Sequence, residues 1–226
     1  MHPPNIPDIV IHRLPLYLRV LTVLREQGQT ITSSQELGTH LDISPAQIRK
    51  DLSYFGEFGK QGTGYEIEFL ISQLKRILQV NRKWNIALAG AGALGHALVS
   101  HFGFEHWDFH ITAVFDKDPL RIGQRLGNLT VLDVTKLAEV ILEKNIQFGI
   151  IAVPTKEAQG VAEQLVTAGV RAILNYAPVS LKIPRHVHCH SMDPIVWLQS
   201  MAYYQGAQDH PKPDEGIISR TQTNTV

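Results

Sequence analysis

This 226-residue chain is short of several things, and each shortage removes a class of explanation. It has a single cysteine, Cys189, so no disulfide can close within the chain, and a reducing cytoplasm is the expected compartment. It has no excess of charge, because 21 Lys and Arg stand against 21 Asp and Glu. Nothing therefore pulls the whole molecule toward nucleic acid or an anionic membrane, and any DNA-binding surface has to be a local patch. No uninterrupted apolar run reaches the roughly 18 residues of a membrane span. The opening Met1-His2-Pro3-Pro4-Asn5 lacks the pattern of a signal peptide, so no membrane partner is expected. With 44% hydrophobic and 19% charged residues, the composition is that of an ordinary globular protein with room for one large or two modest domains.

From Lys83 onward, short apolar strands alternate with helical stretches. The pattern predicts strands over 84–89, 111–115, 129–132, 147–153 and 170–174, with helices near 93–102, 134–144 and 156–168. That alternation specifies βαβ units, hence a doubly wound parallel sheet. Directly after the first apolar run stands Gly90-Ala91-Gly92-Ala93-Leu94-Gly95, a G-x-G-x-x-G where a strand turns into a helix. Its first glycine permits the turn, its second lets backbone approach a pyrophosphate, and its third lets the helix pack closely on the sheet. The helix N-terminus then offers free N–H groups and a positive dipole end to phosphate. The second strand ends in Asp116, about twenty residues further on, where a carboxylate accepts ribose hydroxyls. A plain glycine-rich turn, with Asp116 capping the next one, is the alternative. Asp116 favours NAD over NADP, whereas the neighbouring Lys117 and Arg121 weaken that preference. In such a sheet the loops at the carboxyl ends of strands line the ligand crevice, which places Val153-Pro154 and Asn175-Tyr176 among the candidate cofactor contacts.

Residues 1–80 follow another pattern. A helix near 12–27 carries Leu14, Leu18, Leu21 and Leu24 at helical spacing. Ser33-Ser34-Gln35-Glu36 contains a capping box and starts a short helix. Ser44-Pro45-Ala46-Gln47 starts another, with a cap, a proline at the first helical position and a reciprocal Gln. Two short helices about a tight turn make a helix-turn-helix. At about 100° per residue, Ile48, Leu52 and Phe55 share the buried face of the second, while Ala46, Arg49, Lys50 and Ser53 face outward. Cations and a hydroxyl beside a small residue suit a major groove. The glycine-rich stretch from Gly56 to Ile67 predicts a tight β-ribbon, a wing with Lys60 near its tip. The candidate DNA-contacting set is Ser33, Ser34, Gln47, Arg49, Lys50, Ser53, Tyr54 and Lys60. A merely solvated helix face is the competing reading, since residues 1–80 hold eight cations and eight anions.

Taken together, these stretches resemble the Rex family of bacterial redox-sensing transcriptional repressors. The resemblance is carried by Arg13-Leu14-Pro15-Leu16-Tyr17-Leu18-Arg19, Ile48-Arg49-Lys50-Asp51-Leu52-Ser53-Tyr54-Phe55-Gly56, Gly62-Thr63-Gly64-Tyr65, Gly90 to Gly95, Phe115-Asp116, Val153-Pro154 and Ile173-Leu174-Asn175-Tyr176-Ala177-Pro178. It spans about residues 8–205. It implies a homodimer with a winged-helix domain (1–80), a Rossmann NAD(H)-binding domain (81–192) and a domain-swapped C-terminal helix (193–205). It further implies a palindromic operator, bound when NAD⁺ dominates and released on NADH. The family's switch positions fall on Arg19, His101 and Asp193. His101 stands where some members have tyrosine, and Pro194 where some have a bulky apolar residue. Independently of the resemblance, Asp193-Pro194 reads as a plain helix start, and Ile195, Leu198 and Met201 form an apolar stripe that has to dock on its own domain or on a partner.

Two other readings compete. An NAD-dependent oxidoreductase needs a proton donor beside the nicotinamide, and none is in place, since His96 and His101 lie at the pyrophosphate end. A module for another nucleotide such as CoA is opposed by Asp116. His186, His188 and His190 alternate along one strand face, but without carboxylates or a second cysteine they predict no metal site. The polar tail over 206–226 is expected to be disordered.

Overall fold

The computed structural model describes residues 6–59, 63–101 and 103–209. Helix α1 (Asp8–Glu26) buries Val10, Leu14, Tyr17, Leu18, Leu21 and Leu24, one residue every turn or so. It begins before the expected start near residue 12, because Val10 joins the buried stripe. Pro15 forfeits one backbone bond inside the helix, and that loss is carried by the apolar face.

A short strand β1 (Ile31–Thr32) leads into α2 (Ser34–Leu41) and α3 (Pro45–Ser53). Both helix starts form as the sequence predicts: Ser33 Oγ accepts from the Glu36 N–H at 3.1 Å, and Ser44 Oγ accepts from the Gln47 N–H at 3.2 Å. Asp42, left-handed at φ 54°, closes α2. Ile48 and Leu52 are buried, Phe55 is half-buried, and Ala46, Arg49, Lys50 and Ser53 are exposed, as the helical wheel requires.

The wing departs from expectation. Strand β2 (Tyr65–Glu66) pairs antiparallel with β1, Ile31 opposite Glu66 and Thr32 opposite Tyr65, instead of closing a ribbon on residues 56–59. Gly64 is positive in φ, and a side chain there would run into the Thr32 carbonyl, so the close approach to β1 dictates the glycine. The chain then enters α4 (Ile67–Ile77), to which the sequence reading assigns no element. Glu66 caps it by accepting from the Glu68 and Phe69 N–H groups. Ile67, Leu70, Ile71 and Leu74 complete a core with α1, Ile48 and Leu52.

The remainder is a seven-stranded sheet. In chain order come β3 (Trp84–Ala89), α5 (Ala93–His101), a 3-10 turn at Phe104–Trp107, β4 (Phe109–Asp116), β5 (Arg125–Leu126) and β6 (Leu129–Asp133). A 3-10 turn at Val134–Lys136, α6 (Leu137–Glu143), β7 (Phe148–Ile151), α7 (Thr155–Thr167), β8 (Ala172–Asn175), β9 (His188–Ser191) and α8 (Pro194–Asp209) follow. The spatial order is β5-β6-β4-β3-β7-β8-β9, parallel throughout except for the β5–β6 pair. The order reverses at β3, which makes the crevice beyond β3 and β7 the place for a ligand.

One sheet face packs on α6 and α7 through Leu137, Ile141, Ala158, Ala162 and Leu165. On the other face, Leu98 of α5 joins a second core with Ile86, Leu88, Val114, Leu126, Val131 and Ile150. Beyond it, Phe109, Phe148, Ile150 and Leu174 line an open apolar groove of about 720 Å³, with Asp8, Ile11 and His12 of α1 on its rim. Helix α8 continues to Asp209, past the stop expected at 205, and every side chain from Pro194 to Gln205 is exposed. The rest of the tail lies outside the described residues.

Candidate nucleotide cleft and recognition surface

The fingerprint glycines sort by what holds them. Gly90 has φ +107°, and a Cβ there would collide with the Ala152 carbonyl oxygen. A Cβ on Gly95 would collide with the Gly90 carbonyl oxygen. Both are imposed by strand-to-helix packing. Gly92 is different: its Cβ would meet only Arg121 Nη1, at 3.7 Å. The fold therefore gives no steric reason for glycine at 92, whereas a backbone-hugging pyrophosphate does. Gly92 faces a cleft of about 790 Å³ that runs from Ala93 and Leu94, at the start of α5, to Asp116 and Lys117 on one side and Val153 and Pro154 on the other. The N-terminus of α5 opens into it, with the dipole end that favours an anion.

Asp116 ends β4 at this cleft and is only 8% exposed. Burial alone would raise its pKa. The N–H groups of Asp118 and Ala91 and the Arg121 guanidinium outweigh that and hold the carboxyl below its ordinary value. Its Oδ2 accepts from Ala91 N at 2.8 Å and from Arg121 Nη1 at 3.1 Å, while Oδ1 accepts from Asp118 N at 2.9 Å. The carboxylate thus orders the glycine turn as well as facing the cleft, a double role that the sequence reading did not anticipate. Lys117 pairs with Glu157 of α7 at 2.8 Å, joining the two walls.

The loop after β8 does not behave as the other candidates do. Asn175 is fully buried, its amide donating to the Ala177 and Val179 carbonyls and its oxygen accepting from Ala177 N. It shapes the loop and is not among the residues lining the cleft. Tyr176 packs half-buried on the α5 side of the sheet, where burial raises its pKa.

On the outer surface of α3, Arg49, Lys50 and Ser53 are exposed together. Arg49 Nη1 donates to Ser34 Oγ at 2.9 Å, tying α3 to the start of α2, and Ser53 Oγ donates to the Lys50 carbonyl. Ser33 is engaged as the α2 cap. Gln47 turns inward, its Nε2 donating to Asp51 Oδ1 at 2.6 Å. Tyr54 is half-buried at the end of α3, and Lys60 lies outside the described residues.

Beneath that surface is a cluster the sequence reading missed. Asp51, fully buried on α3, takes a bidentate pair from Arg13, Nε to Oδ2 at 2.6 Å and Nη2 to Oδ1 at 2.7 Å. It also accepts from the hydroxyl of Tyr17 and from Gln47. Burial raises the Asp51 pKa, but hydrogen bonds from Arg13, Tyr17 and Gln47 reverse the balance and leave it below the ordinary carboxylate range. Burial, followed by the bond to Asp51, pushes Tyr17 well up. The one available signal was a charge on the apolar face of α3, which needs a buried partner.

Of the switch positions, Arg19 is exposed on α1, and Asp193 accepts from Ile195 N at 2.9 Å as a helix cap. His101 closes α5, and its side chain lies outside the described set. No helix among the described residues is long and apolar enough to cross a membrane, and no group of three or more His, Cys, Asp or Glu among them is arranged to hold a metal.

Comparison with known proteins places both halves. Residues 5–53 match the family described as "Putative DNA-binding protein N-terminus", and residues 81–179 match the one described as "CoA binding domain". The redox-sensing transcriptional repressor Rex of Chloroflexus aurantiacus is 52% identical over 198 residues, which is 88% of this chain and 93% of that protein. The Rex of Brevibacillus brevis is 41% identical over 200 residues, 88% of this chain and 97% of that protein. Among solved structures, RSP in complex with β-NAD⁺ and operator DNA matches at a TM-score of 0.86 and 34% identity, covering 90% of this chain and 94% of that one. RSP in complex with β-NADH matches at 0.81 and 32% identity, over 91% and 96%. A winged helix-turn-helix unit on a doubly wound sheet, with relatives 41–52% identical over 88% of the chain, makes this chain a member of the Rex family of redox-sensing transcriptional repressors.

Proposed function

We propose that this protein represses transcription according to the NADH/NAD⁺ ratio, holding a palindromic operator when NAD⁺ dominates and releasing it when NADH binds. The observation that carries the reading is Gly92, the one fingerprint glycine that the fold leaves free and a cofactor requires. In this reading Gly90 to Gly95 and the α5 N-terminus hold the pyrophosphate, and Asp116 with Lys117 faces the adenosine ribose. Val153 and Pro154 form the opposite wall. When bound, the nicotinamide dinucleotide supplies a redox-dependent shape and charge, and no hydride transfer is asked of it. Its CoA counterpart is disfavoured by a carboxylate at the ribose end and by relatives crystallised with β-NAD⁺ and β-NADH.

Arg49, Lys50 and Ser53 of α3 read the major groove, with Ser34 and Tyr54 beside them, and Lys60 completes the candidate contact set. Ser33 and Gln47 support that surface from within. We take 1–80 as the DNA-binding part, 81–192 as the cofactor-binding part and the C-terminal helix as the dimer contact. Two features of one chain complement each other here: an α8 with Ile195, Trp197, Leu198 and Met201 exposed, and an apolar groove on the uncovered sheet face. Seating α8 of one copy in the groove of the other buries both. That exchange brings Asp193 toward the partner subunit's Arg19, where cofactor state sets the angle between domains. The protein acts in the cytoplasm, where its DNA and its cofactor pool are.

A gel shift with an AT-rich palindromic duplex tests the proposal. NADH should release the duplex, and NAD⁺ at equal concentration should not. Retention of the complex at saturating NADH would sink the redox-sensing claim while leaving DNA binding intact. Loss of operator binding in Lys50→Ala, with NADH affinity preserved, is the expected control.

A further inference from the structure

Helix α1 touches both halves of the chain within its first turns. Asp8, Ile11 and His12 sit on the rim of the sheet groove, and the His12 ring lies 6.4 Å from that of His190 on β9. The next residue, Arg13, grips Asp51 of α3 with two hydrogen bonds, and Tyr17 one turn later adds a third. The carboxylate they hold is fully buried and separated from Arg13 by 38 positions in sequence. On the same helix, Lys50 immediately precedes Asp51 and faces outward with Arg49.

Three properties suit this cluster to transmission. First, a bidentate guanidinium–carboxylate pair fixes orientation as well as distance, which a single hydrogen bond or a lysine does not. Second, the pair is sequestered, with the Arg13 side chain 17% exposed and Asp51 at 0%, so salt and water weaken it little. Third, three of the four donors on this carboxylate come from α1, so α3 cannot rotate about its axis against α1 without breaking several bonds together. Apolar burial is non-directional, whereas a hydrogen bond weakens steeply once it leaves its preferred angle, so the fork adds an orientational constraint to the packing.

We propose that Arg13 and Asp51, with Tyr17, are positioning residues that lock the recognition helix to α1, so that movement of α1 against the cofactor-binding sheet is passed to Lys50 and Arg49. The role rests on the repressor reading above and goes beyond it: Arg13, Tyr17 and Asp51 are not among the residues lining the nucleotide cleft, and Tyr17 and Asp51 are buried beneath the α3 surface, yet the clamp sets how strongly one site affects the other. Coupling of this kind requires an element with defined arrangements that both sites bias.

The test uses the full-length chain and a duplex selected by the wild-type protein from a random-sequence pool. Arg13→Lys keeps the cation but removes the fork, and Tyr17→Phe removes one donor without changing charge. NADH affinity is read by protein fluorescence, and operator affinity is read with NAD⁺ and with NADH. Arg13→Lys should leave NADH affinity within twofold, while the ratio of operator affinities in NAD⁺ and NADH falls at least tenfold toward unity. Tyr17→Phe should lie between. Hydrogen exchange adds a readout independent of DNA: α3 amides should exchange faster in Arg13→Lys, and those of α5 should not. If operator affinity falls equally in both cofactor states, with the ratio preserved, the clamp merely supports the fold and the proposal is overturned. An unchanged ratio with unchanged α3 exchange overturns it as well. A wild type that binds the duplex but ignores NADH would overturn the redox-sensing reading and this proposal with it, an outcome separable from failure of the variants alone.

Discussion

Gly90, Gly92 and Gly95 look equivalent in the sequence, and the structure divides them by cause. Alanine at 90 has to adopt φ +107° and overlap the Ala152 carbonyl, and alanine at 95 overlaps the Gly90 carbonyl. Strain of about 1 to 3 kcal/mol together with the clash at 90, and the backbone clash at 95, should each lower the melting temperature by several degrees. Gly92→Ala has open space and an ordinary φ, so it should melt within about 2 °C of the parent. Its NADH affinity should nevertheless fall at least tenfold, measured by fluorescence titration. Equal melting losses at all three positions would refute the division. Asp51 gives a second residue-scale prediction. Because its folded pKa is depressed, its contribution to stability is complete above the unfolded value near 4 and is lost as pH falls through the folded value. Asp51→Asn should therefore cost about 3 kcal/mol at neutral pH and flatten the acid limb of a denaturation profile below about pH 4. The same residue marks a limit of sequence reading: Lys50 and Arg49 were legible from the helical wheel, but Arg13 as the partner of Asp51 lies 38 residues away and no local pattern announces it.

Among elements, the parallel strands and the capped helices α2 and α3 were legible because their signals are local: a run of apolar residues, or a Ser followed by an N–H donor two or three residues on. The wing and α4 were not. Glycines at 56, 59, 62 and 64 suggest a ribbon closing on itself, yet Tyr65 and Glu66 find their partners in Thr32 and Ile31, a pairing set by tertiary packing. Tyr65 to Phe69 also alternates like a strand, which hides the helix that Glu66 caps. Asn175 was placed at the cofactor for sitting at a strand end, and its amide proves to be engaged with its own loop. Helix α8 shows the reverse case, an element whose isolation carries information. Sixteen residues with large apolar side chains exposed do not persist alone in water. Deleting the chain from Pro194 onward should yield a monomer by sedimentation that still binds NADH through the β3–α5 turn but has lost the operator. A dimer surviving the deletion would move the interface elsewhere.

At the scale of the molecule, the chain is electrically neutral and carries Arg49 and Lys50, the cations proposed to face DNA, on one short helix, so in the proposed dimer affinity depends on presenting two such helices at a fixed separation. A two-fold dimer places them on one side of the duplex, with half-site centres about 10 base pairs or a multiple apart. Inserting about 5 base pairs between the half-sites turns one half-site to the far side of the DNA, and binding should drop to the level of an isolated half-site. Inserting about 10 restores the face but lengthens the span by roughly 34 Å, beyond what a dimer joined through α8 can follow, so binding should not recover. Electrophoretic titration of the three spacings separates the possibilities. Recovery at 10 would mean that the recognition helices are flexibly tethered. In that case a change of angle at α1 could not be what releases the operator, because a loose tether transmits no angle.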